Sequence, residues 1–303
     1  MDSTYALDSN CEISVPNLQK YFYINKKQED FFNYIYEESF VSGNNLNVLL
    51  TGPHGCGKSE ICKIYASKRK LKFFETNCSL YREPRDFFGI KGAKSGNTYF
   101  QKTGFLKALG TENCVILLDE INRLVPSVAN SLYEILDDRR QIYFDEVGEV
   151  NVAKGVVIFA TKNVGLRYTG TMPSDLSLID RFNPILEVDF LPEEEEIKVL
   201  TERTKISELD ARLLVKFAWN VRAKAKETGS FLRNTISTRT LINCANMFSK
   251  IGKDAIDYCI LPLYSKDGGN DSERTQVILI KQMIYGDLVN DDIQNIQEDD
   301  GEQ

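Results

Sequence analysis

Gly52-Pro-His-Gly-Cys-Gly-Lys-Ser59 decides how this chain is read. It has the form G-x-x-x-x-G-K-[ST], in which glycines let the backbone curl until successive N–H groups point at one anion. Residues 47–51 read as a short buried strand before it, and 58–69 as a helix after it, which is the setting the motif requires. The helix turns its positive end toward the same charge. Gly52, Pro53, His54, Gly55, Cys56 and Gly57 are therefore expected to cradle phosphates, with the His54 side chain pointing away. Lys58 would place a point charge on the outer phosphates, and Ser59 an oxygen on Mg²⁺.

Two further apolar runs belong to the same pattern. Cys114-Val-Ile-Leu-Leu-Asp-Glu120 is a buried-strand sequence that ends in adjacent acids. In open α/β sheets, ligands sit at the carboxyl ends of the strands, where both acids can reach them. Asp119 is expected to hold the Mg²⁺ site through water, and Glu120 to orient and deprotonate an attacking water. Val156-Val-Ile-Phe-Ala-Thr161 is a third such strand, followed by Lys162 and Asn163. The Asn163 amide could position that water; taken alone it reads as a loop cap.

Around these runs, strand and helix patterns alternate up to about residue 190, which argues for a parallel sheet with helices on its faces. Residues 28–38 fit a helix with Phe31, Phe32, Ile35 and Tyr36 on one side. Residues 83–104 read as irregular, and 141–152 as a hairpin turning at Gly148. Beyond Pro192 the spacing is helical. Leu209, Leu213, Phe217 and Val221 recur every four residues and suggest one apolar face, while 276–284 fit either strand or helix. Residues 1–16 are polar and expected to be poorly ordered.

At 303 residues the chain has a two-domain length and ordinary globular composition. Seven of its 44 acids, and no Lys or Arg, fall at or after Asp287. The body is therefore neutral and the tail acidic, which argues against a DNA backbone as the main partner. The tail reads as a solubilising end or as a docking segment for a basic partner. No apolar run approaches a membrane span, and no signal peptide is read, so a cytoplasmic setting is expected. Seven cysteines without a C-x-x-C pair, and a single histidine, speak against zinc fingers and disulfide frameworks.

The phosphate loop, the Asp-Glu strand, the Ala-Thr-x-Asn strand, Asp180-Arg-Phe182 and the helical region after them resemble, in that order, the AAA+ ATPases over about residues 17–264. Asp119-Glu-Ile-Asn-Arg123, Gly104-Phe-Leu-Lys-Ala-Leu109, Leu136-Asp-Asp-Arg-Arg140 and Tyr168-Thr-Gly-Thr171 are similar to the MoxR and CobS-type, dynein-related branch. The resemblance implies a P-loop NTPase fold: a flexible segment at 1–16, an αβ nucleotide-binding domain at 17–190, a helical lid at 191–264 and a C-terminal extension with the acidic tail at 265–303. It implies ATP and Mg²⁺ as ligands, with Asn163 as sensor 1 and Arg181 as an arginine finger reaching a neighbouring subunit's site. Ser237-Thr-Arg239 resembles sensor 2, so that ATP would lie between the phosphate loop and Arg239, its adenine near Tyr23 and Ile24.

A residue supplied in trans implies a homo-oligomer, in this family a hexameric ring. Arg123 reads equally as an interface residue or a solvated one. The departure Lys162, where small or polar residues are usual, blurs sensor 1. The segment 82–104 and the hairpin at 141–152 resemble the family's axial inserts. Tyr99, Phe100, Tyr143 and Phe144 are candidates to grip a substrate there, although aromatic packing is the favoured reading. The implied output is remodelling or activation of a protein partner, often together with a von Willebrand A-type protein. Two alternatives stand beside it. One is a nucleic-acid motor, for which Lys91 and Lys94 are the only hint. The other is a nucleotide-gated binding module with little turnover, against which Glu120, Asn163 and Arg181 argue.

Overall fold

A computed structural model describes residues 13–18, 21–94, 97–144, 148–164, 176–230, 232–267 and 272–299. Five apolar segments form one parallel sheet: β1 (Leu46–Gly52), β2 (Lys72–Asn77), β5 (Cys114–Asp119), β8 (Val157–Asn163) and β9 (Ile185–Glu187), in the order β2-β5-β8-β1-β9. Val115–Leu118 and Val157–Ala160 are entirely buried, as strands covered on both faces must be. The three-residue β9 was not foreseen. It is too short to carry a pattern of its own and is defined by its pairing with Leu49–Thr51.

The helices α1 (Lys26–Tyr36), α2 (Lys58–Lys68), α3 (Pro84–Phe88), α4 (Gly104–Leu109), α5 (Pro126–Leu136) and α6 (Leu176–Asp180) accompany this sheet. In α1 an Asn25–Gln28 capping box sets the start, and Phe32 and Ile35 are the side chains it buries. Pro126 opens α5 in the first turn, where its missing N–H costs nothing. Segment 83–104 is organised rather than irregular. After α3 it forms the antiparallel hairpin β3 (Gly89–Lys94) and β4 (Asn97–Lys102), with Gly89 opposite Lys102. Gly92 faces the Tyr99 ring so closely that a Cβ would stand 2.4 Å from it, a contact that no local pattern announces.

A second hairpin joins β6 (Gln141–Phe144) to β7 (Gly148–Asn151). Gly148 pairs with Phe144, so it closes the turn instead of forming its tip. At the amino end, Phe73 donates its N–H to the Ser14 carbonyl at 3.0 Å and Ile13 packs on the core. The expected poor order of 1–16 therefore does not reach Ile13 and Ser14.

From Phe190 onward the chain forms a second compact unit, which also takes in Lys20–Tyr23 and His54–Cys56. Its helices are α7 (Glu193–Arg203), α8 (Glu208–Lys226), α9 (Thr238–Ile251), α10 (Ala255–Cys259) and α11 (Glu273–Asp299). The ambiguous 276–284 is thus helical. Of the four-residue repeat on α8, Phe217 and Val221 are fully buried and Leu213 packs half-buried against the core, while Leu209 at its start is 64% exposed; Leu214, Val215 and Ala218 complete the buried face. Each four-residue step overshoots a 3.6-residue turn by about 40°, so three steps rotate by about 120°.

Glu196 and Arg222 meet inside this unit with side chains 0% and 4% exposed. Arg222 donates to both Glu196 oxygens at 2.7 and 2.9 Å and to the Ile236 carbonyl at 2.8 Å, and Thr238 donates to Glu196 at 2.6 Å. Four acids, Glu193–Glu196, occupy the first turn of α7, where the helix dipole favours them. Glu195 accepts from the Tyr21 hydroxyl, and the Arg203 guanidinium lies 4.6 Å over Phe22. No helix among the described residues is long and apolar enough to cross a membrane.

Candidate functional site

Strand register assembles the site. Asn77 lies opposite Asp119, Leu118 opposite Ala160, and Gly52 opposite Asn163. The carboxyl ends of four neighbouring strands therefore reach one edge of the sheet, at the point where strand order leads away in both directions.

The glycine-rich turn leaves β1 at this edge. Gly55 and Gly57 have φ of +70° and +97°, backbone that side-chain-bearing residues rarely adopt. Gly57 is the N-cap of α2 and brings no side chain to the first-turn amides, which keeps that end of the helix suited to an anion. Lys58 is buried and donates from Nζ to the Gly52 and Pro53 carbonyls at 2.9 and 2.7 Å, so its ammonium stays within the turn. His54 is exposed and Cys56 buried.

A chain of hydrogen bonds runs across the strand ends. The Ser59 hydroxyl donates to Asp119 Oδ1 at 2.8 Å. Thr161 donates to the same oxygen at 2.6 Å and accepts from the Glu120 backbone N–H at 2.9 Å. Glu120 has φ 56° and ψ 50°, left-handed backbone that is uncommon for a residue of its size and is shared here with Lys70, Asn113 and Arg140. Its two carboxylate oxygens are held by different partners. Oε1 accepts from Asn163 Nδ2 at 3.2 Å; Oε2 meets Arg123 Nε at 2.9 Å and Asn77 Nδ2 at 3.5 Å. Burial pushes the Cys62 and Cys78 thiols well up, and the negative field of Asp119 adds to both, joined at Cys78 by that of Glu120.

Ser59 and Asp119 bring two hard oxygens together, a donor set that suits Mg²⁺. No group of three His, Cys, Asp or Glu side chains able to hold a metal occurs among the described residues.

Two residues of this network, Thr161 and Asn77, escaped the sequence reading. Thr161 was read only as a strand end; its 1% exposure and its two bonds depend on β8 lying next to β5. Asn77 ends β2, far from the motifs in sequence. Arg123, read from the sequence as an interface or a solvated residue, is 40% exposed and paired with Glu120, three residues before it.

The two other arginines lie elsewhere. Arg181, just after α6, donates to the Ser177 carbonyl and hydroxyl at 2.6 and 3.1 Å, and its guanidinium lies 4.3 Å over the Tyr133 ring. None of its bonds among the described residues joins it to Asp119 or Glu120. Arg239 is exposed in the first turn of α9, beside Ser237, whose side chain caps that helix. Leu136-Asp-Asp-Arg-Arg140 has a structural part: Arg140 donates to Asn47 Oδ1 at 2.6 Å and to the Asn45 carbonyl at 3.1 Å, tying the end of α5 to the start of β1.

Of the four aromatics on the hairpins, Tyr99 and Tyr143 are 49% and 67% exposed, against the packing expected for them, while Phe100 packs on the core. The Phe144, Lys91 and Lys94 side chains, Tyr168–Thr171 and the tail side chains lie outside the described residues.

Comparisons with known proteins bear on the family and the fold. Residues 47–182 match the AAA domain model of the dynein-related subfamily, and 196–275 match the CbbQ/NirQ/NorQ C-terminal model. A Thauera aromatica protein named "Putative chaperone BssE" is 31% identical over 281 residues, 88% of this chain and 96% of its own. An uncharacterised Staphylococcus epidermidis protein is also 31% identical, over 67% of this chain and 78% of its own. Among solved structures, the Thermotoga maritima RuvB Holliday junction branch migration motor has the same fold. It superposes with a TM-score of 0.50 at 18% identity, covering 86% of this chain and 70% of RuvB.

Proposed function

This chain belongs to the MoxR-like, dynein-related branch of the AAA+ ATPases, and from that premise we propose that it hydrolyses ATP to remodel or activate a partner protein. The observation that carries the reading is the continuous network Ser59–Asp119–Thr161–Glu120–Asn163 beside the glycine-rich turn.

The turn amides from Gly52 to Ser59 and the Lys58 ammonium bind the phosphates. Ser59 and Asp119 would hold Mg²⁺, which when bound neutralises charge on phosphate oxygens. Glu120 accepts the proton of the attacking water, and Asn163 orients the Glu120 carboxylate. To reach that water, Glu120 must loosen the bonds that Arg123 and Asn77 make to it. Arg181 acts as a finger on a neighbouring copy's nucleotide, which requires a homo-oligomer; a hexameric ring is the form proposed. Arg239 serves as the sensor of the helical lid. The proposed organisation is a nucleotide-binding domain over 17–190, a lid over 191–264 and an acidic extension over 265–303.

A protein partner is supported by the chaperone in the relative's name, and a von Willebrand A-type protein is the partner class proposed. Exposed Tyr99 and Tyr143 are candidates to grip it. Free cysteines, several of them buried, fit a cytoplasmic setting.

Subunit mixing tests the reading. Lys58→Ala should not bind ATP, and Arg181→Ala should bind it without turnover. Mixed together, each supplies what the other lacks, and part of the ATPase activity should return. ATP affinity unchanged in Lys58→Ala, or mixtures as inactive as their components, would reject it.

A further inference from the structure

Three sulfur atoms converge in the helical unit, away from the site described above. Cys244 and Met247 lie three residues apart on α9 and so share one face of that helix. Cys259 is the last residue of α10. Its Sγ lies 3.9 Å from Met247 Sδ, and the Cys244 thiol is hydrogen-bonded to Cys259. Neither cysteine is in a disulfide.

We propose that Cys244, Met247 and Cys259 form a binding site for a soft monovalent cation of the Cu(I) type. Ligand chemistry is the first argument. Thiolate and thioether sulfurs select Cu(I), whereas hard cations take oxygen and structural zinc takes four nitrogen or sulfur ligands without thioether. A set of three His, Cys, Asp or Glu side chains for a borderline divalent ion is absent among the described residues. Only the thioether completes the third corner.

Spacing is the second argument. Three sulfurs in a trigonal plane, each about 2.3 Å from a metal, stand about 4.0 Å apart. The Cys259–Met247 edge, at 3.9 Å, already has that length.

The surroundings are the third. Cys244 is fully buried, and Tyr285, close enough to feel its charge, packs its ring against Phe248. Met247 is 38% exposed and Cys259 is intermediate. The site thus has a dry wall on one side and a path from solvent on the other. Cu⁺ and two thiols give a bis-thiolate complex of charge −1 and two released protons.

The proposal is independent of ATP hydrolysis and is tested on the full reduced chain, without air, by Cu(I) competition against the chromophoric chelator bicinchoninate. A Cys11→Ser background removes the cysteine outside the described residues. One Cu(I) per chain should be withdrawn from the chelator, the melting temperature should rise with loading, and Cys259→Ser should lose that equivalent. Met247→Leu changes a part-exposed side chain to one of similar size, so it should fold; it should bind Cu(I) at least about tenfold more weakly. Failure to withdraw the metal, an undiminished equivalent in Cys259→Ser, unchanged affinity in Met247→Leu, or displacement of Cu(I) by equimolar Zn²⁺ would each overturn it.

Discussion

Each unit of this protein places a glutamate against an arginine, and the two pairs differ in almost everything but their chemistry. Glu196 and Arg222 in the helical unit are sealed from water, and their charges are met bidentately at 2.7 and 2.9 Å, with Thr238 and the Ile236 carbonyl completing the set. Glu120 and Arg123 in the sheet unit touch at 2.9 Å while remaining 18% and 40% exposed. A buried charge without its partner is expensive to keep, which makes the first pair obligatory once the unit is folded. The second pair is solvated and weak, and so can be exchanged. The comparison teaches that burial, not the presence of an ion pair, separates a fastener from a group still available for chemistry.

Breaking the sealed pair should have the largest effect. Arg222→Ala leaves Glu196 uncompensated and should cost about 3–5 kcal/mol, read as a lower denaturation midpoint. Replacing both partners with apolar residues of similar volume should recover much of that loss. If Arg222→Ala cost under about 1 kcal/mol, the contrast between the two pairs would collapse. Glu120→Gln should do the reverse. Turnover should fall at least about 100-fold, equivalent to about 2.7 kcal/mol in the barrier, with ATP still bound and stability within about 0.5 kcal/mol. A large stability loss would mean that Glu120 is a fastener after all.

Thr161→Val sharpens the comparison inside the sheet unit. It strips the hydroxyl that links Asp119 to the Glu120 amide, and should cost about 1–3 kcal/mol in urea unfolding by leaving polar groups unmet. Arg123→Ala should be the mildest, at about 0–1 kcal/mol; a greater loss in calorimetry would show the exposed pair to be structural.

Much of the sheet unit was legible because its signals are local. The curled turn, the apolar strands and the helix starts each occupy a few consecutive residues, and steric and hydrogen-bonding rules act over that range. Tyr99 and Gly92 were not legible as partners, because a hairpin contact exists only after the strands pair. Asn77 was missed for the same reason: nothing near it in sequence marks an amide that will face Glu120. On α8 the repeat of four marked Leu213, Phe217 and Val221 correctly, but the stripe drifts, so that Leu209 ended in solvent while Leu214 and Val215 were buried.

The amino-acid sequence alone determined the family pattern, the residue types at the phosphate turn and the acids at the end of β5, since these are fixed by composition and short spacing. Tertiary structure alone decided which side chains meet: Thr161 between Asp119 and the Glu120 amide, Arg222 sealed against Glu196, and three sulfurs drawn from two helices. Those contacts depend on strand register and helix packing, which sum weak interactions over the whole core. No window of neighbouring residues contains that sum.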